Sequence, residues 1–275
     1  MLWIVQNNLY NENGYVRFLD ALVRFNCDHI IVKPVPFTSI ILPADFDSMT
    51  QDVETTPEPE FDENQKIMVM GATSLTRIAK ERGWTPGTYL NENFDFSVWR
   101  DGFGKRFVLN YDATVGTVFD IEIPKGDWLF ARPVLDSKSF TGTLFSAYDL
   151  GNWLQSVSVI DEEEFVPLHK NTEIMIASAK TIYAEYRMFV VNDRVVTGSL
   201  YKSGNTVRAD ENVDQDVIDF TKQMVKRWTP AEAFVIDIAR TPDGLKVIEI
   251  NNINSAGFYA ANVQKIVKAL DCMEN

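Results

Sequence analysis

The chain has 275 residues, 45% of them hydrophobic and 24% charged, the make-up of an ordinary globular protein, which excludes global disorder, collagen and short-repeat solenoids. Its 26 basic and 39 acidic side chains give a formal net charge of −13, a poor match to nucleic acid or to an anionic membrane, both of which call for basic surfaces. No apolar run approaches the ~20 residues of a membrane span, and no basic stretch followed by a long apolar run opens the chain, so no signal peptide is read.

Taken in chain order, residues 2–5 read as a short buried strand. Residues 14–25 carry Tyr15, Phe18, Leu19, Leu22 and Val23 at helical spacing. Residues 29–35 are strand-like again. Between 43 and 65 lie eight acids and no base, with Pro57 and Pro59 opposing regular structure, so this stretch is expected to be a loop. Residues 67–70 form a strand ending at Gly71. A helix then runs to Arg82, with Ser74 expected as its cap and Gly83 as its stop. The alternation predicts an α/β lobe with some parallel pairing.

From about Trp99 the pattern changes to hairpins. One strand covers 184–191, turns at Asn192-Asp193, and returns over 194–201. Another covers 233–239, turns through 241–244, and returns over 245–251. Between them residues 214–228 read as a helix with early acids and late bases, the order that suits the helix dipole. Pro230 stops it. A last helix is expected over 258–270.

Two cysteines, Cys27 and Cys272, lie near opposite ends, and the only histidines are His29 and His169. A disulfide framework, a His/Cys zinc site and a Ser-His-Asp hydrolase are all poor readings, and the reducing cytoplasm is the expected compartment. Any metal should be a hard cation on carboxylates.

The second hairpin carries the chemistry. Folded symmetrically about Asp243, it sets Asp237 directly opposite Glu249. Because strand side chains alternate, Val235, Asp237, Glu249 and Asn251 then share one face, and Phe234, Ile236, Ile238, Ile248 and Ile250 share the other. Two facing carboxylates repel. A divalent cation relieves that, and Asp, Glu and Asn offer the oxygen ligands Mg²⁺ takes. The alternative is a hairpin whose polar side chains merely face water. Elsewhere, Arg132 at the end of a strand, Lys138 and the flexible Gly142 form a set that could grip phosphate, or be ordinary surface cations. Glu185, Arg187 and Phe189 share a strand face. Arg187 could neutralise charge on a transferring phosphoryl group, or simply pair with Glu185.

In order, these segments resemble the ATP-grasp superfamily, and more narrowly its divergent clade named for a paired Arg and Lys, found in bacteria and bacteriophages. The matching phrases are Phe130-Ala-Arg-Pro-Val, Lys138-Ser-Phe-Thr-Gly, Ala184-Glu-Tyr-Arg, Thr197-Gly-Ser-Leu-Tyr and Val247-Ile-Glu-Ile-Asn-Asn-Ile-Asn-Ser-Ala-Gly-Phe-Tyr. The match covers about residues 99–270. Met70-Gly-Ala-Thr-Ser-Leu and Gly83-Trp-Thr-Pro-Gly resemble, more loosely, the domain that precedes ATP-grasp in that clade.

The resemblance implies a mixed α/β (α+β) fold in which two lobes clasp ATP, with a smaller α/β pre-ATP-grasp domain at 1–100 and the ATP-grasp domain at 101–275. It implies that Arg132 and Lys138 hold phosphates, and that residues 173–178 form the hinge reading adenine, with Ser178 or Lys180 near the ribose. Glu185 would belong to the ATP site, and Arg187 would reach the γ-phosphate or an acyl intermediate. Asp237, Glu249 and Asn251 would bind Mg²⁺. The implied activity is an ATP-dependent carboxylate–amine ligase, with peptide or protein among the substrates to be considered. The competing readings are a nucleotide-binding assembly chaperone without a covalent product, and a small-molecule kinase. The chain departs from many amide-forming members in carrying Tyr201-Lys202 where they place an Arg.

Overall fold

The computed structural model describes every residue except 8–12, 63, 136–138, 164–165 and 275, together with the side chains at 13 and 274. The first lobe runs β1 (Leu2–Gln6), α1 (Asn13–Arg24), β2 (His29–Pro34), β3 (Ile41–Pro43), β4 (Ile67–Met70), α2 (Thr73–Glu81) and the two-residue β5 (Pro86–Gly87). Its strands form one sheet in the order β3-β2-β1-β4-β5, parallel except where β3 meets β2. The unbroken apolar runs of β1 and β4 are explained by burial on both faces. Trp3 and Val5 pack with Phe18 and Leu22 of α1, whereas Leu2 and Ile4 pack with Leu75 and Ile78 of α2.

Ser74 does not cap α2. The cap position is Ala72, which has no side-chain acceptor, and Gln6 Oε1 instead accepts from the Ala72 amide at 2.9 Å. Gly83 ends the helix as expected, with φ +66°. Among the described residues no helix or strand lies between β3 and β4. The far end of that acidic insert is tied down by a Glu58–Arg82 ion pair and by Phe61 set edge-on to Trp84.

Next come α3 (Phe96–Phe103), β6 (Thr114–Thr117), β7 (Trp128–Pro133), β8 (Thr143–Ser146), α4 (Ala147–Ser158) and β9 (Glu173–Ser178). Here the strands make an antiparallel sheet in the order β6-β9-β7-β8. Leu150, Leu154 and Val157 of α4 cover one face, against Leu129, Ala131, Ile174 and Ile176.

A third sheet follows, built from β10 (Ala184–Val191), β11 (Arg194–Ser203), β12 (Thr206–Asp210), β13 (Ala233–Thr241) and β14 (Gly244–Asn251), with α5 (Gln215–Arg227) inserted before β13 and α6 (Val263–Glu274) at the end. Its order is β12-β11-β10-β13-β14, antiparallel throughout. At the first hairpin turn Asn192 and Asp193 are both left-handed, φ 48° and 58°, the pairing a two-residue turn favours. The last helix starts at Val263 and not at residue 258, because Tyr259 sits at φ +48°, outside helical space. Asn262 Oδ1 accepts from the Lys265 amide at the new start.

Tyr186, Met188, Val190, Phe234, Ile236 and Ile238 pack on one side of this sheet with α3 and α5. On the other side Phe189, Val191, Ala233 and Val235 join residues of α1, α6, β1 and β4 in one continuous core. That second side changes character along the strands. Beyond Val235 comes Asp237, and beyond Phe189 in the opposite direction come Arg187 and Glu185.

The second hairpin is tighter than a symmetric fold about Asp243. Thr241 pairs with Gly244, so only Pro242 and Asp243 form the turn, and a bulge then falls at Ile248. In consequence Val247, not Ile248, takes the place in the apolar layer, and Ile248 is half-buried.

Candidate functional site

The bulge restores the register that the shorter turn shifts, and Asp237 pairs with Glu249 and Val235 with Asn251. Directly across on the other side of β13, Arg187 pairs with Asp237. Asp237 is fully buried, a position a carboxylate tolerates only with strong partners. It has them. Arg187 Nε donates to Oδ1 at 3.0 Å and Nη2 donates to Oδ2 at 2.8 Å. The alternative pairing of Arg187 with Glu185 does not occur. Glu185 instead accepts from the Tyr201 hydroxyl at 2.7 Å and pairs with Lys202 at 2.8 Å.

Glu249 is served from another sheet. Arg132, near the end of β7, donates Nη1 to Oε2, and Asn251 Nδ2 donates to Oε1 at 3.0 Å. The same Asn251 nitrogen lies 3.4 Å from Asp237 Oδ2. All four carboxylate oxygens of the two acids therefore meet a nitrogen donor. Around Arg132 and Glu249 opens a cavity of about 270 Å³ lined also by Phe130, Thr141, Gly142 and Asn251. Gly142 is there for want of room: a Cβ would sit 2.7 Å from the Phe130 ring and 3.5 Å from the Arg132 Cβ.

Burial is the main influence on Asp237 and raises its carboxyl to about 6; the Arg187 charge pulls down and Glu249 pushes up. Burial also acts upward on Glu249, but Arg132, Asn251 and Arg187 together hold it below the usual carboxylate range. Arg187 stays protonated throughout: burial works against its charge and Asp237 overrides it. Its guanidinium lies 5.7 Å from the Tyr201 ring centre and 5.1 Å from that of Tyr259, and the two rings stack at 4.9 Å. Burial, then the carboxylates of Asp237 and Glu185, push the Tyr201 phenol well above its ordinary value.

The hinge-side residues lie apart from this cluster. Lys180 Nζ donates to Ser178 Oγ at 2.8 Å and to Asp112 at 2.9 Å. Lys180 lines a second cavity, about 460 Å³, with Tyr111, Asp112, Ala179, Thr241 and Lys246. Thr241 and Asp237 lie four residues apart on β13 and so share a face, roughly 13 Å apart. The remaining candidate, Lys138, lies outside the described residues.

Sequence reasoning missed Tyr201, Tyr259, Asp112 and the cross-sheet partnership of Arg132 with Glu249. Only the last had a signal, an Arg and a Glu each assigned to the same ligand. It also missed the two amides after Asn251. Asn252 and Asn254 are buried, and Asn254 bonds to the Val69 carbonyl at 2.8 Å and to the Tyr89 amide at 3.0 Å. They fasten the end of the Asp–Glu–Asn hairpin to the first lobe.

Two carboxylates and an amide within hydrogen-bond reach of one another are hard oxygen donors of the kind a small divalent cation takes. The amide presents its nitrogen to the carboxylates, and a half-turn of its plane would present the oxygen. Among the described residues there is no cluster of three or more His, Cys, Asp or Glu, so a cation here would draw on the amide.

Comparison with known proteins places this geometry. Residues 113–270 match the model of the ATP-grasp domain, family 3 of the clade named for its arginine and lysine pair. Among solved structures, the D-cycloserine synthetase DcsG aligns with TM-score 0.63 at 9% identity, over 100% of this chain and 99% of that one. D-alanine–D-alanine ligase from Bacillus anthracis, complexed with ATP, gives 0.56 at 10%, over 99% and 91%. ATP-grasp ligase PsnB, complexed with a phosphomimetic variant of minimal precursor, Mg and ADP, gives 0.54 at 12%, over 100% and 97%. Identities this low show the fold alone. No curated protein matches. The family model spans more than half of the sequence, and the chain belongs to family 3 of the ATP-grasp domains in the arginine–lysine clade.

Proposed function

We propose that this protein is an ATP- and Mg²⁺-dependent ligase that activates a carboxylate as an acylphosphate for attack by an amine. The observation that carries the reading is the convergence of Asp237, Glu249 and Asn251 beneath two arginines, Arg132 and Arg187, delivered from different sheets. An ATP-grasp ligase needs such a set: hard oxygen donors for the metal and cations for the phosphates.

In this reading the nucleotide lies along the face shared by Thr241 and Asp237. The purine is at the 460 Å³ cavity by the hinge, near Ser178 and Lys180, and the phosphates are at the 270 Å³ cavity. The roughly 13 Å between the two levels of β13 suits an extended nucleotide. Arg132, with Lys138 as the resemblance has it, holds phosphate oxygens. Glu185 keeps Lys202 and Tyr201 oriented beside Arg187. Mg²⁺, when bound by Asp237, Glu249 and the Asn251 oxygen, supplies positive charge to the phosphates.

The chemistry is positioning and charge neutralisation. A substrate carboxylate oxygen attacks the γ-phosphorus, the bond to the β-phosphate oxygen breaks, and ADP leaves. Arg187 is held flat against Asp237 and fixed by the tyrosine pair, so it faces the developing charge without rearranging. An amine then adds to the acyl carbon and phosphate departs, giving an amide. The first 100 residues are taken as the preceding domain and 101–275 as the catalytic one.

A peptide or protein acceptor is favoured by the likeness to PsnB, a ligase whose structure is complexed with a precursor variant. The compartment is the bacterial or phage-infected cytoplasm, in keeping with two free cysteines and with no helix among the described residues long and apolar enough to cross a membrane. The test is a coupled assay for ADP with panels of carboxylates, amines and peptides. ADP release that rises only when both acceptor types are present, with an amide product by mass spectrometry, is the expected result. ATP hydrolysis indifferent to every acceptor would count against a ligase.

A further inference from the structure

The two arginine–carboxylate pairs at the site are built differently. Arg187 and Asp237 lie directly opposite on adjacent strands, make two hydrogen bonds, and are 11% and 1% exposed. Arg132 and Glu249 come from separate sheets, make one, and are 13% and 28% exposed. The first is fixed by the register of its own sheet. The second spans the gap between two sheets and borders the 270 Å³ cavity.

Every oxygen that Asp237 and Glu249 could offer a cation already accepts from nitrogen. A metal therefore has to displace a donor, and the exposed single contact is the one that opens at least cost. Its arginine is also the residue placed to take phosphate.

We propose that the Arg132–Glu249 pair is a latch that exchanges partners on nucleotide binding: a phosphate takes Arg132, and Glu249 is released toward the metal. The proposal rests on the nucleotide reading above and adds an order of events to it. A phosphate group offers more negative charge and more acceptor oxygens to the guanidinium fork than one carboxylate oxygen does. Glu249, once released, is left beside buried Asp237, an arrangement that repels unless a cation arrives. Nucleotide binding thus creates the demand for metal, and by reciprocity the metal creates the demand for nucleotide. With the latch closed, each binds poorly alone.

The experiment uses the full chain and two separate probes. Mn²⁺ is titrated by electron paramagnetic resonance without nucleotide, and ADP is titrated by calorimetry in EDTA. Arg132→Leu should tighten Mn²⁺ at least threefold while weakening ADP. Glu249→Gln, nearly isosteric, should tighten metal-free ADP at least threefold while weakening Mn²⁺. On an Arg132→Leu background the Glu249→Gln gain in ADP should vanish, because one bond underlies both effects; a general change of charge would persist.

If the wild type binds ADP and Mn²⁺ together but neither single variant gains affinity, the latch is wrong and the site reading stands. A gain in ADP that survives on the Arg132→Leu background overturns the latch in the same way. If the wild type binds neither probe under any combination, both fall. Circular dichroism of each variant establishes that it is folded, and should Arg132→Leu fail that check, Arg132→Gln replaces it in both titrations.

Discussion

Asp237 and Glu249 face each other because two irregularities cancel. The turn at Pro242-Asp243 is one residue shorter than a hairpin centred on Asp243, and the bulge at Ile248 gives that residue back. Bulges beside functional side chains re-aim them in this way. Deleting Ile248 should turn Glu249 and Asn251 toward the apolar layer and abolish thermal stabilisation by Mg-ADP. Deleting Ile248 while inserting one glycine after Asp243 should bring most of that stabilisation back. Differential scanning fluorimetry of the two variants measures both.

Removing the Arg187 side chain leaves a buried carboxylate without its partner. Arg187→Ala should cost about 3–5 kcal/mol at pH 7.5. The loss should be smaller at pH 5, where Asp237, already raised to about 6 with the arginine present, takes up a proton. Urea unfolding at the two pH values is the measurement. A pH-independent loss would mean that packing, not charge, sets the cost.

Asp237 also predicts how the metal-free protein responds to pH. Its folded value of about 6 lies above the ordinary 3.8, so the folded state holds the proton more tightly than the unfolded one. Its contribution to stability is most favourable below about pH 4, declines up to about pH 6, and is flat above. The decline is worth roughly 3 kcal/mol. A cation requires the deprotonated form, so the melting-temperature gain from Mg²⁺ with ADP should be larger at pH 7.5 than at pH 5. Equal gains at both would remove Asp237 from the ligand set.

Gly142→Ala should strike the phosphate end alone. The added methyl meets the Phe130 ring at 2.7 Å and crowds Arg132. Overpacking of this kind costs about 1–3 kcal/mol. Nucleotide affinity should fall about tenfold while the fold persists, read by ADP calorimetry with circular dichroism as the control.

Much of the candidate site is legible in the sequence because strands encode faces. The alternation through 234–251 places Asp237, Glu249 and Asn251 together, and the segment Glu173–Ser178 reads as the strand that is observed. What is not legible depends on contacts between distant segments. Nothing near Tyr259 indicates that its ring will stack on Tyr201 or that its backbone will be left-handed. The Arg132–Glu249 pair joins residues 117 positions apart, beyond any local pattern. The Ser74 cap fails for a similar reason: a glutamine on β1 does what a local hydroxyl was expected to do. Short strands such as β6 and β8, four residues each, carry too few side chains to show a period.

The core that runs unbroken from Trp3 and Phe18 through Phe189 and Val235 to Ile266 bears on what proteases can achieve. A nick in the acidic insert at 43–65 cuts the chain but leaves its pieces gripping the same apolar interior. Such a clipped molecule should co-elute as one particle and separate only in denaturant. Expressing the C-terminal portion by itself, by contrast, would lay bare the underside of the very sheet whose other end holds Asp237.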